Sequence, residues 1–246
     1  MITRFPLRFT ALSLTLLCWH LSAQVVNFNF MEDYNSTNLN FGLGAAPDDS
    51  QNDFWNRVGP DGEDAPYAQD RATMFASDGT TPTSIRVLFD GSSFGTGGAP
   101  EFAADLFQGY YYTGSSGAAF TITGLTAGDS YDFYFYSQSG ALDDHRAAIF
   151  TFDGTDLTAT AIPDLSFESG VNYVEFSVTP TGTSLAGFFT TAPGAGEADF
   201  AGVQVVTVSA VPEPSTYAAI AGLAGLGFAF IRQRRRAGQR VPRHSA

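Results

Sequence analysis

The feature that most constrains the fold of this chain is a two-residue alternation of apolar and polar side chains in short runs. In the run YDFYFYS at 131–137, the alternation sends Tyr131, Phe133 and Phe135 to one face of an extended strand and the residues between them to the other. The run VNYVEFSV at 171–178 alternates in the same way. Strands with two different faces are typical of sheets that cover a core on one side.

Short runs of this kind recur at intervals of about ten residues, which is typical of an antiparallel sandwich or barrel. The predicted strands are Val25–Phe30, Phe54–Val58, Ser84–Phe89, Leu106–Tyr112, Ala118–Thr123, Tyr131–Ser137, Ala147–Phe152, Val171–Val178, Leu185–Thr190 and Ala201–Val208. Turn signals lie between them, in GPDGEDAP at 59–66, TAGDS at 126–130, FDGTD at 152–156 and APGAGEAD at 192–199. Because no stretch between 24 and 210 has a helical period, we predict an all-β, jelly-roll-like antiparallel sandwich. The irregular segment 31–83 is expected at one end of it.

The first residues have the layout of a secretory signal peptide. Arg4 and Arg8 precede an apolar core from Phe9 to about Leu21, and small residues follow up to Ala23. This core is shorter than the roughly 20 residues of a spanning helix, which disfavours a retained anchor. We therefore predict a signal peptide at 1–23, removed after Ala23.

The single cysteine, Cys18, lies within this segment, so the exported protein would contain none. A disulfide scaffold, a thiolate metal site and a cysteine nucleophile are thereby excluded. The body, residues 24–210, must fold by burying a core, and it is long enough to do so.

The body is strongly acidic. It holds 24 acidic side chains and four arginines, a formal net charge of −20, and the chain has no lysine. Such a domain repels nucleic acids and anionic lipid surfaces, so we expect no nucleic-acid partner.

Sequence motifs for catalysis are weak. GSSFG at 91–95 matches a nucleophile elbow formally, but TGGAP follows where the elbow requires a helix. His145 is the only imidazole in the body, and no pair of acids stands out as a glycosidase dyad. We expect a protein without catalytic activity, with a glycan-active hydrolase as the less favoured alternative.

Acid-rich loops at 47–53, 60–66 and 196–199 offer the hard oxygen ligands that Ca²⁺ prefers, although none has EF-hand spacing. They are either a structural Ca²⁺ site or solvated loops. No other cofactor is expected.

Aromatic side chains supply a candidate carbohydrate-binding surface. Flat rings stack on sugars, and the rings that would form such a platform are Trp55, Tyr110, Tyr112, Tyr134 and Tyr136. The alternative is that these rings belong to the core, since the body also contains 19 phenylalanines.

The C-terminal segment consists of three ordered parts. Val211-Pro212-Glu213-Pro214-Ser215 precedes sixteen uncharged residues at 216–231, which as a helix would extend about 24 Å. The arginines that follow hold the C-terminus in the cytoplasm by the positive-inside rule, and they are Arg232, Arg234, Arg235 and Arg236. A signal peptide requires the same topology. The two prolines keep the stretch before the apolar segment extended and accessible.

This arrangement resembles the PEP-CTERM sorting signal. The resemblance implies an exported protein of a Gram-negative-type bacterium, in many cases one that makes extracellular polysaccharide. It implies recognition of residues 211–215 by an exosortase, a membrane-embedded protease or transpeptidase, and a transmembrane helix at 216–231 in the precursor. The ten-residue extension at 237–246 departs from the usual pattern. The runs TITGLTAGDSYDFYFYS and FAGVQVVTV weakly resemble galactose-binding-like sandwiches.

The sequence thus predicts four regions: a signal peptide at 1–23, an acidic β-sandwich at 24–210, a sorting signal at 211–236 and a cytoplasmic tail at 237–246. The expected function is that of an exosortase-processed surface or extracellular-matrix protein, first membrane-anchored and then at the cell surface or outside the cell. The alternative is a module that binds exopolysaccharide.

Overall fold

The computed structural model describes residues 24–30, 41–47, 52–58, 73–90, 93–96, 109–137, 146–161 and 166–208. Within these ranges the chain is nearly all β and contains no α-helix. The strands are β1 Val25–Phe30, β2 Trp55–Val58, β3 Met74–Phe75, β4 Pro82–Thr83, β5 Arg86–Asp90, β6 Ser93–Thr96, β7 Gly109–Thr113, β8 Ala118–Thr123, β9 Ser130–Tyr136, β10 Ala148–Phe152, β11 Thr155–Ala159, β12 Tyr173–Val178, β13 Ser184–Thr191, β14 Ala198–Phe200 and β15 Gly202–Val208.

Two five-stranded sheets form the sandwich. The first sheet has the order β12-β9-β15-β1-β2 and the second has the order β11-β10-β13-β8-β5. A three-stranded sheet, β14-β7-β6, and the two-stranded β3-β4 complete the described strands. The predicted β-sandwich is confirmed.

One pairing departs from the antiparallel pattern, because β1 and β2 run parallel, with Asn27 opposite Trp55. A parallel neighbour requires a connection that returns along the length of the strand. The chain between Phe30 and Trp55 provides that length.

The core between the two sheets is rich in phenylalanine, which packs with valine and other apolar side chains. Phe133 and Phe135 of β9 meet Phe120, Phe152 and other rings from the second sheet, with centroids of neighbouring rings 5.0–6.3 Å apart. The alternation in YDFYFYS is confirmed, because residues 131, 133 and 135 lie in this core and the residues between them point away from it. Aromatic pairs at such distances add packing energy beyond the area that they bury.

All ten predicted strands are present, with ends shifted by up to three residues. The strands that the sequence did not predict are β3, β4, β6, β11 and β14, which are short or largely polar. Ser93 of the GSSFG motif begins the extended strand β6, which pairs with β7. It is therefore not placed on the turn of an elbow.

The predicted turns in the described chain are also confirmed. In FDGTD, Asp153 and Gly154 both have positive φ, 48° and 74°, as in the tight hairpin loop that joins β10 to β11. GPDGEDAP, the signal peptide at 1–23 and the segments at 211–236 and 237–246 lie outside the described residues. Within the described part of the chain, no helix has the length and apolar character needed to cross a membrane.

Candidate functional site

The five rings predicted to bind carbohydrate meet in one cluster, in which Trp55, Tyr134 and Tyr136 come from the first sheet and Tyr110 and Tyr112 from β7 of the three-stranded sheet. Trp55, Tyr110, Tyr134 and Tyr136 belong to one cluster of buried side chains, and Tyr112 packs against it. We call this group the outer aromatic cluster. It is separate from the phenylalanine core, because β2 and β9 present alternate side chains to opposite sides of the first sheet.

The faces of these rings are covered. The exposed fraction is 0% for Trp55 and Tyr136, 3% for Tyr134 and 6% for Tyr110, whereas Tyr112 is half-buried. Trp55 and Tyr136 contact each other edge to face, with centroids 5.9 Å apart. A sugar could stack on these faces only after neighbouring side chains moved, so their role in ligand binding stays a prediction.

A buried glutamine organises the polar groups beside the cluster. Gln204 of β15 donates from Nε2 to Asn27 Oδ1 at 2.9 Å, and its Oε1 accepts from the Tyr136 hydroxyl and from the Ala46 amide. Asn27 donates in turn to the Phe54 carbonyl oxygen at 3.0 Å. Buried polar groups are costly unless they are hydrogen-bonded, so this network fixes the position of each member.

The segment 41–47 lies over the cluster and is held to it by two further hydrogen bonds. Trp55 Nε1 donates to the Gly42 carbonyl at 2.9 Å, and the Ala45 amide donates to the Tyr136 hydroxyl at 2.6 Å. The segment is thus a fixed cover, and it explains why Trp55 and Tyr136 are inaccessible.

Arg146 joins the aromatic cluster to two acids. Its guanidinium lies 5.2 Å from the Tyr110 ring centroid, donates to the Tyr110 hydroxyl at 2.6 Å, and lies 3.4 Å from both Asp199 and Glu197. Asp199 is fully buried. A cation on an aromatic face beside two carboxylates is a stabilising arrangement.

The GEAD stretch of the Ca²⁺ hypothesis therefore directs both of its carboxylates toward Arg146. The other two acid-rich loops lie wholly or partly outside the described residues. Among the residues that the structure does describe, no three His, Cys, Asp or Glu side chains are grouped as metal ligands. Calcium binding stays a prediction.

Burial disfavours ionisation of three tyrosines in or beside the cluster, Tyr110, Tyr134 and Tyr173. Burial raises the pKa of Tyr134 far above its usual range, and the nearby carboxylate of Glu175, which accepts from the Tyr134 hydroxyl at 3.3 Å, adds to the shift. Burial likewise raises the pKa of Tyr110 and of Tyr173. At neutral pH these hydroxyls can donate or accept hydrogen bonds but do not supply a phenolate.

The second sheet presents a different kind of surface. Its three central strands point uncharged side chains away from the core, and Phe188 is 37% exposed among them. We call this surface the neutral face, and it consists of Ala119, Thr121, Thr123, Ile149, Thr151, Ser184, Ala186, Phe188 and Thr190. Aspartates occur only on the edge strands, as Asp90 and Asp156.

Sequence reasoning did not single out Asn27, Gln204 or Arg146 as parts of this region. In the run VVNFNF, the polar residues alternate with core residues, a pattern that indicates a solvent-facing side. The full burial of Asn27 and Gln204, and the hydrogen bonds from this side of the sheet to the segment 41–47, show that it is covered. The alternation of polar and apolar residues in the sequence was the only signal for this face. It does not distinguish a face covered by another part of the chain from a face exposed to solvent.

Solved structures similar to this chain have low identity and low TM-scores. One is the YxiM protein of Bacillus subtilis, with 10% identity over 75% of this chain and 40% of that chain and a TM-score of 0.41. Another is the plant receptor-like kinase FER, with 13% identity over 77% of this chain and 42% of that chain and a TM-score of 0.40. The CBM36-1 domain of a multidomain xylanase from the hindgut metagenome of Trinervitermes trinervoides is also similar. Its identity is 12% over 52% of this chain and 100% of that chain, and the TM-score is 0.28. This chain spans less than half the length of the first two.

No curated protein sequence matches this chain. Residues 210–236, in contrast, match the family described as the PEP-CTERM protein-sorting motif. The match includes the Pro-Glu-Pro triplet, the uncharged segment and the arginines. It indicates an exported protein that is sorted at the membrane through recognition by an exosortase. The chain is therefore a β-sandwich protein that carries a PEP-CTERM sorting motif at its C-terminal end.

Proposed function

We propose that this chain is a non-catalytic protein of the bacterial cell surface or extracellular matrix, delivered by exosortase processing of its C-terminus. The observation that carries the proposal is the sorting motif at 210–236, which begins two residues after β15 ends at Val208. The signal-peptide pattern at 1–23 supports it, because both segments require the body to be outside the cytoplasm.

The surroundings of four acids in the described part of the chain support the absence of catalysis. Glu175 accepts a hydrogen bond from the Tyr134 hydroxyl, and Asp132 accepts one from Ser177 Oγ at 2.6 Å. Asp199 and Glu197 lie against Arg146. Each of these carboxylates has a structural contact, whereas a glycosidase pair faces its substrate.

Replacing Pro212-Glu213-Pro214 by three alanines is expected to abolish processing in a host that has the exosortase. Alanines favour a helix that continues into the apolar segment, so the extended stretch that a protease reads would be lost. Immunoblots of membrane and extracellular fractions would show the full-length precursor accumulating in the membrane.

The matched control is Pro242→Ala, which removes a proline from the tail beyond the motif and should leave processing unchanged. Normal processing of the triple-alanine variant would contradict the proposal. Equal loss of processing in the Pro242→Ala variant would show that the effect does not depend on the motif.

A second candidate function is binding of an uncharged polysaccharide, and the observation that favours it is the neutral face. A body with a net charge of −20 repels anionic glycans, but the neutral face offers threonine hydroxyls around an exposed ring. Phe188 is 37% exposed, so a sugar could reach its ring without rearrangement of the fold.

Phe188→Ala should therefore reduce retention of the exported protein on an insoluble neutral glucan by about tenfold or more, equivalent to about 1.4 kcal/mol. Phe41→Ala is the matched control, because Phe41 is also exposed, at 47%, but lies on the segment that covers the first sheet. If both variants are retained on the glucan as strongly as the wild-type protein, the neutral face is not the binding surface.

A further inference from the structure

Both ends of the folded body lie at one end of the sandwich. β1 and β15 are antiparallel neighbours, with Val25 opposite Val206, and the Thr207 amide donates to the Gln24 carbonyl at 2.8 Å. The first and last described residues, Gln24 and Val208, are therefore close in space although they lie at opposite ends of the sequence of the body.

Three turns surround these two residues. Ser77 N donates to the Val25 carbonyl at 2.8 Å, Gly128 N donates to the Pro180 carbonyl at 2.8 Å, and Ser130 pairs with Val208 across the sheet. We call this surface the terminal end. It is formed by Gln24, Val208 and the turns 77–80, 125–129 and 179–183.

Because β15 is a central strand that ends at the terminal end, the chain after Val208 leaves the body from this end. β15 lies between β9 and β1 and pairs with both, up to Val208 on the β9 side. Seven residues, 209–215, separate Val208 from the uncharged segment that begins at Thr216. At about 3.3–3.6 Å per residue they reach at most about 25 Å.

The opposite end of the sandwich is farther from that tether by the length of a strand. β9 runs from Ser130 at the terminal end to Tyr136 at the other, and its seven residues extend about 23 Å. The turn at 114–117, which joins β7 to β8, lies at this opposite end. The terminal end is thus the end nearer to the segment 216–231, and only a fully extended tether would let the opposite end come equally close to it.

The terminal end lacks the basic side chains that bind proteins to anionic lipid surfaces. Its residues include Asp78 and Asp129 but no lysine or arginine. Anionic headgroups are attracted by clusters of basic side chains, which this surface lacks. The tether, rather than adhesion, would keep it near the lipid.

From these observations we infer that the terminal end faces the lipid surface of the membrane in the exported precursor, while the opposite end points away from it. This inference rests on the proposed function, because it requires residues 216–231 to hold the precursor in the membrane. It adds an orientation and a membrane-facing surface that the sorting motif alone does not specify.

Single cysteines test the orientation, since Cys18 is the only native cysteine and Cys18→Ser removes it. In this background, Thr181→Cys places a thiol on the terminal end and Ser116→Cys places one on the opposite end, both at exposed positions. Each full-length variant, carrying a fluorescent donor on its thiol, is inserted into phosphatidylcholine–phosphatidylglycerol vesicles with a headgroup acceptor of short Förster distance.

Energy transfer to the lipid should be about twofold or more higher from the Thr181→Cys variant, because the labelled sites differ in height by about one strand length. The same variants ending at Ala210 should show no transfer, since the tether is absent. Equal transfer from both full-length variants, or more from Ser116→Cys, would overturn the inferred orientation.

Vesicle flotation separates this failure from a failure of the proposed function. If the full-length variants do not float with the vesicles, residues 216–231 do not hold the protein in the membrane, and the proposal of a membrane-held precursor fails together with the orientation. If they float and transfer is equal, only the orientation fails. Transfer from the variants that end at Ala210 would show adhesion of the body and would contradict the tether.

Discussion

Phe189→Ala should lower the free energy of unfolding of the exported body by about 3–5 kcal/mol, a large share of the stability of a typical domain. Phe189 is fully buried in the core, and its ring lies 5.5 Å from Phe200 and 6.1 Å from Phe150, measured between centroids. The truncation leaves a cavity among rings that the two sheets hold in place. Urea unfolding followed by tyrosine and tryptophan fluorescence measures the loss.

The neighbouring residue provides the matched control. Phe188 lies on the same strand but on the opposite face, where it is 37% exposed, so Phe188→Ala should cost less than about 1 kcal/mol. Similar losses for the two variants would contradict the register of β13 on which both the core and the neutral face depend.

Gly124→Ala should destabilise the body by about 3 kcal/mol, because strain and a steric clash add. Gly124 follows β8 with φ at +79°, a conformation that disfavours residues with a Cβ. A Cβ at this position would also lie 2.0 Å from the Ser84 carbonyl oxygen, which is backbone and cannot move aside readily. The same urea experiment measures the effect.

Gly128, in the same connection between β8 and β9, provides the control that separates the backbone strain at Gly124 from the steric clash with Ser84. Its φ is +87°, but no atom lies within 4 Å of a Cβ built there, so Gly128→Ala should cost only the strain, about 1–2 kcal/mol. Equal losses of unfolding free energy in the two variants would contradict the close approach of Gly124 to the Ser84 carbonyl oxygen.

The sequence predicted the strands of the sandwich because its signals are local. The alternation in β9 and β12 identified both faces of each strand, and FDGTD identified a tight hairpin loop. Strand order is not local, since β15 pairs with β1 and β9, which are distant in the chain. The parallel pairing of β1 with β2 was missed for the same reason.

The candidate site was predictable only in part. The composition drew attention to Trp55 and Tyr136, and the structure places them in one cluster. Their burial depends on the 41–47 segment, whose sequence FGLGAAP carries no periodic signal for covering a sheet. The neutral face was missed because Phe188 stands beside the core residue Phe189, and composition alone assigns both rings to the interior.

The central position of β15 has a consequence for how the protein is made. The first sheet cannot close until residues 202–208 are present beside β1 and β9, and in the proposed export these are among the last residues of the body to cross the membrane. Pairings between the two ends of a chain also form slowly, because the closure of a long loop must precede them. If the body is exported from its N-terminus as proposed, folding of the first sheet is delayed until nearly the entire body has crossed the membrane, so the sandwich forms only when the adjoining sorting motif has already reached the membrane.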